Sequence, residues 1–178
     1  TLMIKVAIIG QGYVGLTIAV FASKSNQVIG FDNSQRIVDQ LNEGVSHIEC
    51  VESASLNAAI ASGNYWASTN GSDIADAEIV VIAVPTPLDK DRKPDLSYIE
   101  SACKTIAENI SHPVLVINES TSSPGTIRNF IKPLIERLSA EKIEHLYAIS
   151  PERVDPGRLD WDQKNTPRLY AGLTTEAS

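Results

Sequence analysis

Met3-Ile4-Lys5-Val6-Ala7-Ile8-Ile9 runs straight into Gly10-Gln11-Gly12-Tyr13-Val14-Gly15. The first seven residues are mostly apolar and read as a buried strand. The next six are a G-x-G-x-x-G, and a helical pattern follows with Val14, Ile18 and Phe21 on one face. Gln27-Val28-Ile29-Gly30-Phe31 then makes a second strand that ends at Asp32. Each residue type has a physical reason. Gly10 permits a tight turn, Gly12 lets backbone approach a pyrophosphate, and Gly15 lets the helix pack close to the strand. The helix N-terminus offers unpaired N–H groups and a partial positive charge to phosphate. Asp32 falls roughly 20 residues on, where a carboxylate can accept from both ribose hydroxyls. An ordinary glycine turn leaves the acid at the strand end without a reason. Strand, glycines, helix, strand and acid in this order therefore predict a dinucleotide site.

Outward from this unit, Ser34 can cap a helix carrying Ile37, Val38 and Leu41, with Gly44 just past its end. Residues 45–52 read as a loop, 53–62 as a short helix closed by Gly63-Asn64, 65–68 as a third strand, and 72–77 as a helical turn. Residues 78–84 are nearly all apolar, as a parallel strand covered on both faces requires. That run stops at Pro85-Thr86-Pro87, and a solvated charged loop over 89–95 follows. A helix over 97–110 puts Ile99, Cys103, Ile106 and Ile110 on one face, which makes Cys103 a core residue. Residues 113–117 form a strand leading to Asn118-Glu119-Ser120-Thr121. Pro124 suits the first turn of a helix whose stripe is Ile127, Phe130, Ile131, Leu134, Ile135 and Leu138. Pro133 inside it predicts a kink or a loosened turn. Residues 145–149 give a further strand, before Ser150-Pro151-Glu152-Arg153, and the last ordered piece falls at 168–172. His47, His112 and His145 read as surface or loop residues.

Alternating strands and helices predict an α/β fold: a Rossmann-like, doubly wound, mainly parallel sheet in a single domain over 1–178. Ligands of such sheets bind beyond the carboxyl ends of the strands. Residues 10–15, Asp32, 84–87, 119–121 and 150–153 should therefore converge on one crevice. The 178 residues suffice for a sizeable core. The formal net charge of −7 argues against a nucleic-acid or anionic-membrane partner. No apolar stretch approaches the roughly 20 residues of a membrane span. The chain enters a strand at once, which speaks against a signal peptide. Its two cysteines, Cys50 and Cys103, lack metal or redox spacing and suit a reducing cytoplasm, and no metal site is expected.

Five motifs occur in order: G-x-G-Y-V-G at 10–15, V-P-T-P-L at 84–88, P-D-L-S-Y at 94–98, E-S-T-x-x-P-G-T at 119–126 and S-P-E-R-V-D-P-G at 150–157. Together they resemble the N-terminal, NAD-binding domain of the UDP-glucose/GDP-mannose dehydrogenase family over nearly the whole chain. Gly44-Val45-Ser46-His47-Ile48-Glu49 and Arg153 look closer to its UDP-N-acetylhexosamine 6-dehydrogenase branch. The resemblance implies oxidation of the C6 alcohol of a UDP-sugar to the uronate, with two NAD+ in succession, for polysaccharide precursors. It implies that Gly10, Gly12, Tyr13, Val14 and Gly15 hold the pyrophosphate and Asp32 the adenine ribose, with Arg36 flanking the adenosine. Val84 and Pro85 belong to the same cofactor set, and Thr86 would touch the nicotinamide half. Thr121, also counted with the cofactor residues, matches a threonine that positions a catalytic water. Glu152 matches the glutamate assigned to acid–base work on that water. Glu152 and Arg153 would also help line the sugar site. Outside the motifs, Thr121 would read as a helix cap and Glu152 as a solvated loop acid. Glu119 at its strand end could equally brace the loop.

One departure bears on activity. The family nucleophile is a cysteine in an F-G-G-x-C motif, and neither Cys50 nor Cys103 stands in one. The family's central helix, with its lysine and asparagine, and its C-terminal UDP-sugar-binding domain are also absent. The expectation is a fragment that binds NAD without turning over, from a protein that is a homodimer at full length. The competing readings are a stand-alone nucleotide-binding or regulatory module, and a 3-hydroxyacyl or 6-phosphogluconate type of dehydrogenase. The latter types lack the V-P-T-P and S-P-E-R pair.

Overall fold

Alternate residues of the strands point into two different cores. The computed structural model describes residues 3–151 and 169–178; Glu152, Arg153 and Arg168 lie outside the described residues. Its strands are β1 (Lys5–Ile9), β2 (Gln27–Phe31), β3 (Tyr65–Ser68), β4 (Ile79–Ile82), β5 (Leu115–Asn118), β6 (Leu146–Ile149) and β7 (Ala171–Gly172). Its helices are α1 (Tyr13–Ala22), α2 (Gln35–Asn42), α3 (Ser53–Ala61), α4 (Ser97–Asn109) and α5 (Lys132–Leu138). Val6, Ile8, Val28, Val81 and Ala83 pack with Leu16 of α1, Leu41 of α2 and Leu56 of α3. Ala7, Ile9, Ile29, Val80 and Ile82 pack with Ile99 and Ile106 of α4 and Ile135 of α5. This period of two, apolar on both faces, is what a sheet covered by helices on each side demands.

The sheet order is β3-β2-β1-β4-β5-β6-β7, parallel except for β7, which runs antiparallel to β6. From β1 the chain winds outward through β2 to β3, then returns across β1 to β4. The order reverses between β1 and β4, where doubly wound sheets open a ligand crevice. The register brings the strand ends into one row. Phe31 pairs with Ile9, Ile9 with Ile82, Ile82 with Asn118, and Asn118 with Ile149. The segments that follow β1, β2, β4, β5 and β6 therefore leave the same edge side by side.

Four local features differ from the sequence reading. In α1 the buried residues are Gly15, Leu16, Ala19 and Val20, while Val14 and Ile18 are half-buried and Phe21 is 57% exposed. The helix turns its small residues to the sheet because they allow close approach, and its bulkier stripe faces a groove towards α3. Pro124 precedes the helix rather than opening it. Gly125 turns the chain at φ +89°, and a π-helical turn then runs over Ile127–Ile131 before α5. Proline lacks an N–H and crowds the carbonyl four residues back, so the widened turn is the loosening that Pro133 predicts. Leu138, at the helix end, is 39% exposed and leaves the core stripe.

His145 is the fourth: it stands in the connection before β6, as a loop residue, but it is 6% exposed, which corrects the surface reading. Its Nδ1 accepts from the Val114 N–H at 3.3 Å, tying the entrances of β5 and β6 together. Burial pushes the imidazole pKa down, His112 and Lys132 push the same way, and Glu136 opposes them. A folded-state pKa below the unfolded value, ordinarily about 6.5, means that the unfolded chain takes up the proton first. Stability is then complete above that pH and falls as the pH drops below it. Denaturant unfolding between pH 7.5 and 5, about the range in which histidine titrates, should show this loss. A His145→Asn variant, which keeps an acceptor without titrating, should show a flatter profile.

Candidate functional site

The glycine loop follows β1. Gly10 has φ +94°, and its N–H donates to the Phe31 carbonyl at 2.8 Å. A Cβ on Gly10 would stand 2.5 Å from the Ala83 carbonyl oxygen of the chain leaving β4. A Cβ on Gly15 would overlap the Gly10 carbonyl. These two glycines are therefore needed by the fold itself. Gly12 is different, because a Cβ there meets nothing within 4 Å. It is the N-cap of α1, and no side chain caps that helix end. A helix N-terminus with clear space beside its cap residue is the arrangement that receives a phosphate.

Asp32 links the loop to α2. Its Oδ2 accepts from the Gln11 N–H at 2.9 Å and its Oδ1 from the Ser34 N–H at 2.9 Å. Each carboxylate oxygen keeps a lone pair, so the group can still receive two ribose hydroxyls. The Ser34 hydroxyl caps α2 by accepting from the Ile37 N–H at 3.4 Å. Gln11 belongs to this assembly and has no role in the motif reading. It is wholly buried, its amide donates to the Ile8 carbonyl at 3.0 Å and the Gly10 carbonyl at 3.2 Å, and it accepts from the Tyr65 hydroxyl at 2.9 Å. Gly30 in β2 leaves room for this side chain, since a Cβ there would collide with the Gln11 amide. Burial, and then the Asp32 charge, hold the Tyr65 hydroxyl above its ordinary pKa of 10.0 and keep it a donor. The only sequence signal was a polar residue between two glycines; its partner lies 54 positions away.

Between these elements lies a cleft of about 450 Å³ at the β1–β4 switch point. Gly10, Gly12 and Asp32 form one wall, Val84 and Pro85 line it from the β4 side, and Tyr98 of α4 lines it opposite. Ser101 and Thr105 of α4 join that wall, and the Asn33 amide reaches the Ser101 hydroxyl at 3.4 Å. These α4 residues were legible only as the outer face of a helix. The other expected residues that the structure describes belong to the same elements without lining the cleft. Tyr13 and Val14 are half-buried in the first turn of α1, next to Gly15. Arg36 is exposed in the first turn of α2, Thr86 is half-buried after β4, and Thr121 is exposed after β5. Glu119 is 7% exposed, and its backbone N–H continues the β4–β5 ladder by donating to the Ile82 carbonyl at 2.9 Å. Glu152 and Arg153 fall outside the described residues.

Neither thiol lines this cleft. Cys103 is fully buried on α4, and burial followed by the nearby Glu100 charge pushes its thiol up to about 12. Cys50 is exposed in a separate groove between α1 and α3, with its Sγ 3.3 Å from the Thr17 hydroxyl. Among the described residues no three His, Cys, Asp or Glu side chains form a candidate metal site.

The two kinds of glycine make a paired prediction. Gly12→Val should remove dinucleotide binding in calorimetry while the melting temperature stays near that of the parent chain. Gly15→Ala should instead cost about 1–3 kcal/mol of stability, as overpacking does, and lower the melting temperature by several degrees.

The sequence profile described as "UDP-glucose/GDP-mannose dehydrogenase family, NAD binding domain" matches residues 4–178. Among curated relatives, a UDP-N-acetyl-D-mannosamine dehydrogenase of Pyrococcus horikoshii is 35% identical over 178 residues, covering 98% of this chain and 42% of the relative. The enzyme of the same description from Escherichia coli K12 is 37% identical over 183 residues, covering 97% of this chain and 43% of the relative. The chain thus spans less than half the length of these relatives. The solved structure of a UDP-N-acetyl-D-mannosamine dehydrogenase from Pyrococcus horikoshii superposes with a TM-score of 0.86 at 34% identity, over 98% of this chain and 42% of that one. No helix among the described residues is long and apolar enough to cross a membrane. By the match of the family's NAD-binding domain over residues 4–178, the chain belongs to the UDP-glucose/GDP-mannose dehydrogenase family.

Proposed function

We propose that this domain, 1–178, serves as the NAD-binding part of a nucleotide-sugar 6-dehydrogenase. The enzyme takes a UDP-N-acetylhexosamine and oxidises its C6 alcohol to the uronate for polysaccharide precursors. The observation that carries the reading is the near-complete coverage of the chain by relatives described as UDP-N-acetyl-D-mannosamine dehydrogenases. The residues present fit the cofactor: open space over Gly12, an uncapped helix N-terminus and a strand-end acid. Bound NAD+ supplies the hydride acceptor.

The chain's own residues would divide the remaining work. Gly12 and the first turn of α1, with Tyr13, Val14 and Gly15, hold the pyrophosphate. Asp32 takes the adenine ribose, and Arg36 flanks the adenosine. Val84, Pro85 and Thr86 shape the nicotinamide side. Thr121 presents a hydroxyl that orients water without titrating near neutral pH. Glu152 takes the proton from that water, work that a carboxylate near an apolar ring can be tuned to do. Arg153 joins Glu152 on the sugar side. A second domain beyond this chain would supply the thiol and most sugar contacts, and the full-length enzyme would work as a homodimer in the cytoplasm.

Two measurements test the reading. NAD+ should bind at least about tenfold more tightly than NADP+, because two like charges about 4 Å apart repel by about 1 kcal/mol even in water and by more in a cleft. Arg36 is the group that could offset this, and tighter NADP+ binding in calorimetry would show that it does. The chain alone should form no NADH from UDP-glucose, UDP-N-acetylglucosamine or UDP-N-acetylmannosamine. Nucleophilic catalysis needs a positioned, activated thiol, and Cys103 and Cys50 both lie away from the cleft. NADH formation that vanishes in Cys50→Ser or Cys103→Ser would overturn this. Turnover that appears once a segment bearing F-G-G-x-C is supplied would support it.

A further inference from the structure

The two segments on the nicotinamide side of the cleft are joined by buried polar side chains that the cofactor motifs do not explain. The Ser120 hydroxyl accepts from the Val84 N–H at 3.0 Å and reaches the Ile82 carbonyl at 3.4 Å. Asn118, fully buried at the end of β5, donates from Nδ2 to the Ser120 carbonyl at 3.2 Å and the Ser122 hydroxyl at 3.1 Å. The Ser120 carbonyl can only accept, so the Asn118 atom facing it must be the amide nitrogen. Asn118 thus grips the residue before Thr121 and the residue after it. Ser120 in turn fastens this turn to Val84, which lines the cleft.

The topology says which half of the cofactor this joint serves. The pyrophosphate lies at the start of α1, and Asp32 fixes the adenine ribose on the β2 side. The other half must then extend across the ends of β4 and β5, over 84–86 and 119–122. We propose that Asn118 and Ser120 are positioning residues that hold these two turns in register and set affinity for the nicotinamide half of NAD alone. This rests on the reading of the cleft as an NAD site. The Asn118 and Ser120 side chains are buried and the Val84 N–H partly so, and removing one partner leaves the other unpaired at a desolvation cost. Ser120→Ala strips the acceptor from the Val84 N–H, and the 84–86 turn relaxes. Asp32, Gly12 and α1 keep their contacts.

The test compares NAD+ with ADP-ribose, which keeps the adenosine and pyrophosphate but lacks the nicotinamide, by calorimetry on the 178-residue chain. The parent chain should bind NAD+ more tightly than ADP-ribose. Ser120→Ala should weaken NAD+ about tenfold, the scale of a lost buried hydrogen bond, and leave ADP-ribose within about twofold. Ser120→Thr, which retains the hydroxyl, should recover most of the difference. If Ser120→Ala does not fold, Ser122→Ala carries the same comparison, since it removes one acceptor of the Asn118 amide at a half-buried position. Equal losses of both ligands, or no loss of either, would overturn the proposal while leaving the cleft reading intact. A parent chain that binds neither ligand would remove both.

Discussion

The structure depends on how closely α1 can approach the sheet. The helix starts directly over the point where β1 and β4 end, and there is no room in that contact for two Cβ atoms. Gly10 meets the backbone at Ala83, and Gly15 meets the Gly10 carbonyl. Because the helix sits this low, its uncapped end opens onto the sheet's carboxyl edge, beside Asp32 on one flank and Val84 on the other. Leu16, Ala19 and Val20 then bury the helix face against β1, β2 and β4. The tight packing and the anion-receiving geometry have one cause, so the fold and the site cannot be varied independently at these positions.

Much of this was legible in the sequence, and the reason is locality. The first strand–helix–strand unit carries its turn glycines and its acid within one stretch, and each obeys a rule that needs no knowledge of the remainder. The apolar runs of β4 and β5, the cap at Ser34 and the buried stripe around Cys103 follow from periodicity and turn chemistry. The parallel order follows from the alternation of elements, and that order brings the 84–86 and 119–121 segments together at one edge.

The parts that were not legible depend on contacts between residues far apart in the chain. Phe21 looked like a core residue because apolarity and spacing do not reveal which of two faces of α1 meets the sheet; small residues won over large ones. His145 looked solvated because histidines in short connections usually are, and only the neighbouring strand shows that its ring receives the Val114 N–H. Gln11 and Tyr65, and likewise Ser120 and Val84, are partners whose sequence separation hides them from any local pattern. The outer face of α4 became a cleft wall only because the sheet order sets that helix beside the turn after β4.

The Asp32 carboxylate is already engaged at both oxygens by the amides of Gln11 and Ser34. It is thus a structural joint between the glycine loop and α2, and it is already oriented for the ribose contact proposed above. Oxidoreductases are often retuned towards phosphorylated cofactors by exchanging such an acid for a small or basic residue. In this chain that exchange would also free two backbone donors and unfasten the loop from the next helix. A redesign would have to satisfy both amides by other groups before it could change the preference, because an uncharged amide in place of the carboxylate would offer one acceptor where two are used.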